Sequence, residues 1–188
     1  GAAARGDAGY AWGMSKTCMS LFCVCVFGAL AAGCASESRA QQEPPAHIRA
    51  WMDRLTVEHE YDAEAGIIRA RQVISVPAVI DGATPIGEGV ARADGAGSTL
   101  IVFATADRCA PCQQYKKDAL NDPRVIEAIA GGPWVALHIE VDRRPDEAER
   151  WLGGRAIPMT YALRGGEVVA ELRGQRSAED LLAWLGNL

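Results

Sequence analysis

The chain has 188 residues and a mass of 20.0 kDa, with 49% hydrophobic residues, 23% charged residues and a formal net charge of −5. This length predicts one domain of ordinary size with short appended segments, and the composition excludes a wholly disordered chain and a polytopic membrane protein. The acidic balance argues against nucleic acid as a partner, because phosphate binding requires a basic face. Proteins or small molecules are the expected partners.

The N-terminal part of the sequence carries targeting signals. Residues 1–13 precede the first methionine and are interpreted as an upstream, non-native extension. Residues 14–33 combine a basic residue, an uncharged apolar run and small terminal residues, which is the pattern of a signal peptide. The apolar run is about 17 residues long, so an uncleaved membrane anchor is the alternative. Residues 34–46 are rich in Ser, Gln, Glu and Pro and are predicted to form a disordered tether.

The end of the apolar run, Leu30-Ala-Ala-Gly-Cys34, resembles the signal of bacterial lipoproteins. In that family, cleavage occurs just before the cysteine, which is then lipidated. The resemblance implies that Cys34 carries a lipid anchor on the periplasmic side of a bacterial membrane. Ala35 follows Cys34, and the absence of Asp at that position implies the outer membrane if the source is Gram-negative. An ordinary secretory signal, in which Cys34 is incidental, is the alternative.

Residues 47–97 are predicted to form an N-terminal extension of one helix and one or two strands. Apolar residues recur at helical spacing between His47 and Tyr61, which indicates a helix that caps the core. The segment Ile67–Ile80 is rich in Val and Ile and predicts strands interrupted by Pro77. Several glycines between residues 82 and 97 then indicate a loose connection without phosphate-loop spacing, to which no chemistry is assigned.

Residues 98–188 show a regular alternation of strands and helices. The predicted elements are a buried strand at Thr99–Thr105, helices from Cys109 to about Leu120 and from Pro123 to about Ala130, a strand at Trp134–Val141, a helix from Pro145 to about Leu152, strands at Met159–Leu163 and Glu167–Arg173, and a helix after Ser177. Parallel units followed by a hairpin and a helix predict an α/β fold, with a mixed central sheet covered on both faces.

The chemistry of the chain is expected at Cys109-Ala-Pro-Cys112, between a buried strand and a helix. Cys109 should lie at the helix N-terminus, where the helix dipole and free N–H groups lower a thiol pKa from ~8.5 to roughly 3.5–7.5. Cys112, one turn further along, is expected to be shielded and to attack a mixed disulfide on Cys109. This pair predicts thiol–disulfide exchange that needs no cofactor.

A structural cross-link and half of a zinc site are the alternatives for this cysteine pair. A ring this short would gain only about 2 kcal/mol, which makes it a weak cross-link. A structural zinc site needs four ligands, and the mature chain offers few further candidates at regular spacing. These candidates are Cys34, His47, His59 and His138. We therefore predict no metal site.

From about Ser98 to Leu188 the chain resembles the thioredoxin superfamily. Cys109-Ala-Pro-Cys112 matches the active site of that family, and Arg155-Ala-Ile-Pro158 matches its cis-proline segment. The residues after Cys112 are similar to the disulfide-interchange branch, which includes the C-terminal domain of DsbD. The resemblance implies a thioredoxin-like three-layer α/β/α sandwich. It also implies that Cys109 is the attacking thiol, that Cys112 is the resolving thiol of a redox-active disulfide, and that Ile157 and Pro158 receive an extended substrate strand.

Two positions depart from the family pattern. Arg108 stands where thioredoxins usually have Trp, and Phe103 stands where they have a buried acid. Arg108 and Asp107 are candidates for tuning the Cys109 thiolate, since a nearby cation favours the charged form; a solvated loop charge is the alternative for Arg108. Because Phe103 replaces the buried acid, the usual proton acceptor for Cys112 is missing. The candidates for this role are Asp107, His138, Glu140 and solvent water.

The sequence as a whole predicts a membrane-tethered thiol–disulfide oxidoreductase on the periplasmic side of a bacterial membrane. Its expected partners are protein thiols or disulfides, an upstream redox protein, and the membrane through the lipid anchor. A reductase specific for apocytochrome c and a periplasmic relay are alternatives with the same chemistry. Alternatives of a different class are a lipoprotein adaptor with incidental cysteines and a metallochaperone.

Overall fold

A four-stranded mixed sheet forms the centre of the chain in a computed structural model that describes residues 43–188. The signal-peptide prediction and the lipidation of Cys34 lie outside the described residues. The sheet has the strand order β4-β3-β5-β6, in which β3 and β4 are parallel and the other two pairs are antiparallel. Its strands are β3 (Thr99–Thr105), β4 (Trp134–Glu140), β5 (Met159–Arg164) and β6 (Glu167–Arg173). No helix between residues 43 and 188 is long and apolar enough to span a membrane.

Helices cover both faces of this sheet. All seven residues of β3 are buried, and alternate side chains point to opposite faces. The helices are α2 (Ile86–Gly95), α3 (Ala110–Tyr115, continued by a π-helical turn at Lys116–Leu120), α4 (Pro123–Gly131), α5 (Pro145–Leu152) and α6 (Ala178–Leu185). Leu100 and Val102 pack with α2 and α5, whereas Ile101 and Phe103 pack with α3, α4 and α6. The three-layer α/β/α prediction is confirmed.

The loose connection predicted between residues 82 and 97 is wrong, because α2 occupies most of it. Several glycines lower the intrinsic helix propensity of this segment, which is why the sequence pattern favours a loop. One of them is required by packing: a Cβ at Gly89 would lie 2.3 Å from Cδ1 of Leu137. Gly89 therefore lets α2 approach the sheet closely, and burial of Ile86 and Ala93 stabilises the helix.

The N-terminal extension differs from its prediction in two places. Its helix, α1 (Ala46–Met52), is much shorter than the segment with helical spacing, and a strand, β1 (His59–Asp62), occupies the end of that segment. The helix ends in a turn in which the N–H of Leu55 donates to the carbonyl of Met52 at 2.9 Å. The N–H groups of Thr56 and Val57 then donate to the side chain of Gln114. The apolar residues of this segment, in α1 and in the extended chain after it, pack together in one cluster with Ile68 and Ala110.

The second strand of the extension, β2 (Ile67–Ala70), pairs antiparallel with β1. The strand prediction for the segment up to Ile80 is therefore wrong beyond Ala70. Pro77 lacks an N–H group, and the chain passes instead to an isolated pairing with the outer edge of β4. There the N–H of Asp81 donates to the carbonyl of Ala136 at 3.0 Å, and the N–H of His138 donates to the carbonyl of Asp81 at 2.9 Å.

Candidate redox site

Cys109 and Cys112 lie where the buried strand β3 passes into helix α3. Cys109 has an extended backbone and caps α3, and the N–H of Cys112 donates to its Sγ at 3.2 Å. The two cysteines form a disulfide with a Cα–Cα distance of 5.2 Å. Cys109 is half-buried, whereas Cys112 is fully buried at 0% exposure. Cys109 is therefore the more exposed sulfur of the pair, and it accepts a backbone N–H.

A groove of about 620 Å³ opens beside Cys109, and Ile157 and Pro158 also line it. The peptide bond between these two residues is cis. The carbonyl of Pro158 accepts a hydrogen bond from the N–H of Gly174 at 2.9 Å. Ile157 differs, because neither its N–H nor its C=O forms a backbone hydrogen bond within residues 43–188. The groove therefore presents a reactive sulfur next to unpaired backbone groups.

The N-terminal extension supplies another wall of this groove. Residues of α1 and β2 line it, among them Trp51 and Ile67. The N–H of Ala70 donates to the carbonyl of Arg108 at 2.8 Å, and Arg69 forms an isolated antiparallel bridge with Cys109. The second strand of the extension is thus bonded to the backbone of the cysteine loop itself. The sequence assigned these segments no chemistry.

Two glutamines that follow Cys112 fasten the extension to α3. Gln114 is 1% exposed, and its Oε1 accepts hydrogen bonds from the N–H of Thr56 at 2.6 Å and of Val57 at 3.1 Å. Gln113 is 0% exposed, and its Oε1 accepts from the N–H of Ile74 at 2.7 Å. Sequence reasoning missed both residues. The sequence signal that could have indicated them is a pair of adjacent glutamines in a helix that directly follows a buried strand, where a buried amide needs hydrogen-bond partners.

Arg108 forms an ion pair with Asp142. Its Nε and Nη2 donate to Asp142 at 2.5 and 3.1 Å, and this pairing holds the pKa of Asp142 below its usual value. The carboxylate offsets much of the field that Arg108 would exert on Cys109. The role of Arg108 in tuning the Cys109 thiolate stays a prediction.

Asp107, the second tuning candidate, belongs to an ion-paired cluster. Its carboxylate pairs with Arg143 and with the ammonium group of Lys116 at 3.6 Å. Lys116 is 2% exposed, and burial lowers its pKa below the usual lysine value. Asp107 therefore has two cationic partners, Arg143 and Lys116, and its tuning role stays a prediction.

The other candidate proton acceptors differ in their surroundings. Nε2 of His138 lies 2.7 Å from Oγ1 of Thr105, and burial lowers the pKa of His138 to about 4. Glu140 is 8% exposed, and its Oε2 has no hydrogen-bond partner within the described residues. Burial, and then the charge of Asp107, raises the pKa of Glu140. Glu140 thus has the properties of a buried acid that can take up a proton, while Phe103 packs in the core at 0% exposure. Which group accepts the proton of Cys112 stays a prediction.

Metal chemistry has no obvious site in the described part of the chain. Between residues 43 and 188, no group of three or more His, Cys, Asp or Glu side chains could hold a metal ion.

Comparisons with known proteins agree with this geometry. The family model described as "Thioredoxin-like domain" matches residues 87–188. A thioredoxin structure from Thermus thermophilus is 25% identical, with a TM-score of 0.50 over 58% of this chain and 86% of that chain. A thioredoxin structure from Nicotiana alata is 18% identical, with a TM-score of 0.48 over 62% of this chain and 97% of that chain. A search of curated proteins found no significant match. The lipoprotein signal and the DsbD-like branch stay predictions. By the family match over more than half of its length, the chain belongs to the thioredoxin-like domain family.

Proposed function

We propose that this protein is a thiol–disulfide oxidoreductase that exchanges disulfides with protein substrates through Cys109 and Cys112. The observation that carries this proposal is the asymmetry of the pair: Cys109 is accessible and accepts an N–H, whereas Cys112 is buried behind it. A purely structural cross-link has no need for one accessible sulfur at the edge of a groove. The family match supports the same class of chemistry.

In the reducing direction, the Cys109 thiolate attacks one sulfur of a substrate disulfide. The substrate S–S bond breaks, and the other substrate sulfur leaves as a thiolate that takes a proton from solvent. Cys112 then loses its proton, and its sulfur attacks Sγ of Cys109. The mixed disulfide breaks, and the second substrate sulfur leaves as a thiolate. Two electrons pass to the substrate, and the protein ends in the Cys109–Cys112 disulfide. An upstream dithiol protein restores the dithiol by the same steps in reverse.

The backbone of Ile157 supports a protein as the substrate. Ile157 lines the same groove as Cys109, and its N–H and C=O form no backbone hydrogen bond within residues 43–188, so an extended segment can add to them by main-chain hydrogen bonds. Such pairing would place a cysteine of that segment beside Cys109 regardless of most side chains. Ile157 and Pro158 are accordingly proposed to bind substrate.

Trapping of mixed disulfides in cells tests the proposal. Cys112→Ser leaves Cys109 able to attack but removes the thiol that resolves the mixed disulfide, so covalent complexes with cellular proteins should accumulate. Cys109→Ser is the matched control, and it should trap nothing and should lose disulfide reductase activity. If Cys112→Ser traps no protein while a known exchanger does so in the same cells, the proposal fails. Full cellular function of Cys109→Ser would favour an adaptor, and stoichiometric copper or zinc in the reduced protein would favour a metallochaperone.

We also propose that the protein is tethered through Cys34 to the periplasmic face of a bacterial membrane, the outer membrane if the cell is Gram-negative. The sequence Leu30-Ala-Ala-Gly-Cys34 supports this location. Metabolic labelling with an alkyne-bearing fatty acid tests it. The wild-type protein should carry the label and sediment with membranes, and Cys34→Ser should lose the label. An unlabelled wild-type protein would refute the lipid anchor without affecting the proposed chemistry.

A further inference from the structure

The groove beside Cys109 is apolar along one wall, and that wall belongs to the N-terminal extension. Ile48 and Trp51 of α1 and Ile67 of β2 line it. Trp51 is 39% exposed, and α1 has no fully buried residue. An exposed indole next to a redox-active sulfur is an available contact for a large apolar side chain of a substrate.

The same groove is positively charged, although the whole chain is acidic. Its lining includes Arg108 and Arg155 and no Asp or Glu within the described residues. Asp142 pairs with Arg108, which leaves one net positive charge at Arg155. Arg155 is exposed and forms no ion pair within residues 43–188. A further arginine, Arg54, does not line this groove but lies over the Trp51 ring at 5.3 Å from its centroid. Carboxylates are the complementary groups for such a site.

The N-terminal extension that carries this wall is bonded to the helix and the loop of the cysteine pair. Its anchors are buried side chains, Gln113 and Gln114, on the helix that Cys109 caps. The hydrogen bond from Ala70 to Arg108 joins β2 to the cysteine loop at 2.8 Å. These bonds tie the apolar wall to the helix and loop that carry Cys109. A wall connected in this way can select substrates by the residues that flank their cysteine.

We propose that α1 and the β1–β2 hairpin select protein substrates in which the reactive cysteine lies in an extended segment with a large apolar residue and an acidic residue close by. The apolar side chain contacts Trp51 and Ile48, and the carboxylate faces Arg155. This inference rests on the proposed function, since it names the substrate class of the same redox site.

The test uses the reduced full-length protein and short peptides with one cysteine, activated as a mixed disulfide with thionitrobenzoate. The dithiol reduces this disulfide to peptide thiol and thionitrobenzoate, whose absorbance gives the rate, and the protein is oxidised to its disulfide. The reference peptide carries Leu and Glu beside the cysteine. A second peptide has Lys in place of Glu, and a third has Ser in place of Leu.

The reference peptide should react about fivefold faster than the Lys peptide, and this ratio should approach one in high salt. It should react about tenfold faster than the Ser peptide, with little dependence on salt. Arg155→Ala should abolish the first ratio and Trp51→Ala the second. The matched controls are Arg150→Ala and Val169→Ala, exposed residues outside the groove, which should keep both wild-type ratios. Ratios are compared because they cancel any change in the reactivity of Cys109.

A disulfide without a peptide, 2-hydroxyethyl disulfide, separates the two proposals. If the wild-type protein reduces it but treats the three peptides alike, or prefers the Lys peptide, the selection is refuted and the proposed function stands. If ratios change equally in the control variants, the wall is not the selecting element and the inference is also refuted. If the wild-type protein reduces neither this compound nor any peptide, the proposed function fails and the selection fails with it.

Discussion

Gln114 is predicted to hold the N-terminal extension against helix α3, and the variant Gln114→Ala measures how much this contact contributes to the free energy of unfolding. The substitution removes the oxygen that accepts from the N–H groups of Thr56 and Val57. Val57 is 2% exposed, so water cannot replace the lost acceptor, and a stranded buried N–H costs about 1–3 kcal/mol. Thr56 is exposed, and its N–H can be hydrated, so that loss is about 0.5–1.5 kcal/mol. Together the two losses predict a destabilisation of about 1.5–4.5 kcal/mol.

This cost should fall first on the docking of the extension rather than on the central sheet, because Gln114 joins segments that are 57 and 58 residues apart. Amide hydrogen exchange at Val57 should accelerate by roughly tenfold or more, while amides of β3 change much less. Glu127→Ala, at an exposed position of α4, is the control and should leave exchange at Val57 unchanged. Equal protection of Val57 in Gln114→Ala and in the control would refute the anchoring role.

Further predictions concern the core, the pH dependence of stability and a helix cap. Gly89→Ala should lower the free energy of unfolding by about 1–3 kcal/mol through overpacking against Leu137. Gly95→Ala meets no atom within 4 Å and should raise it by up to about 1 kcal/mol, and urea unfolding that shows the same sign for both variants would contradict the packing argument. The pKa of His138 is lowered to about 4, so the unfolded chain takes up this proton first as the pH falls. Stability should then decrease between about pH 6.5 and pH 4 by about 3 kcal/mol, and unfolding curves for His138→Gln should lack this decrease; an unchanged pH profile would contradict it. Ser177→Ala removes the cap of α6 and should cost about 1 kcal/mol in thermal unfolding, whereas an unchanged transition would show that the cap contributes nothing.

Local patterns in the sequence were sufficient for the redox centre and for most elements after residue 98. The apolar run of β3, the cap at Ser177 and the Cys109-Ala-Pro-Cys112 motif each depend on residues close together in the chain. Strand burial, helix capping and the placement of a cysteine at a helix N-terminus follow from such local chemistry. These predictions therefore needed no knowledge of distant contacts.

The extension and α2 were misread because distant residues decide their structure. Helical spacing continues past Met52, yet the helix ends there, and the N–H of Thr56 donates to Gln114 instead of to a helical carbonyl. Glycines in α2 suggested a loop, yet Gly89 is there because Leu137 lies against it. In both cases a tertiary contact outweighs a local preference of about 1 kcal/mol or less per residue.

By itself, the sequence determined that a cysteine pair lies at a strand–helix junction within an α/β fold, which is the basis of the proposed chemistry. Only the tertiary structure decided what surrounds that pair. The extension becomes a wall of the groove because Gln113 and Gln114 bind backbone groups that lie 39 to 58 residues earlier in the chain. The positive charge in the groove is that of Arg155, which forms no ion pair within residues 43–188, whereas the charge of Arg108 is paired with Asp142. Such contacts join residues that no local pattern relates, because their proximity is produced by the fold.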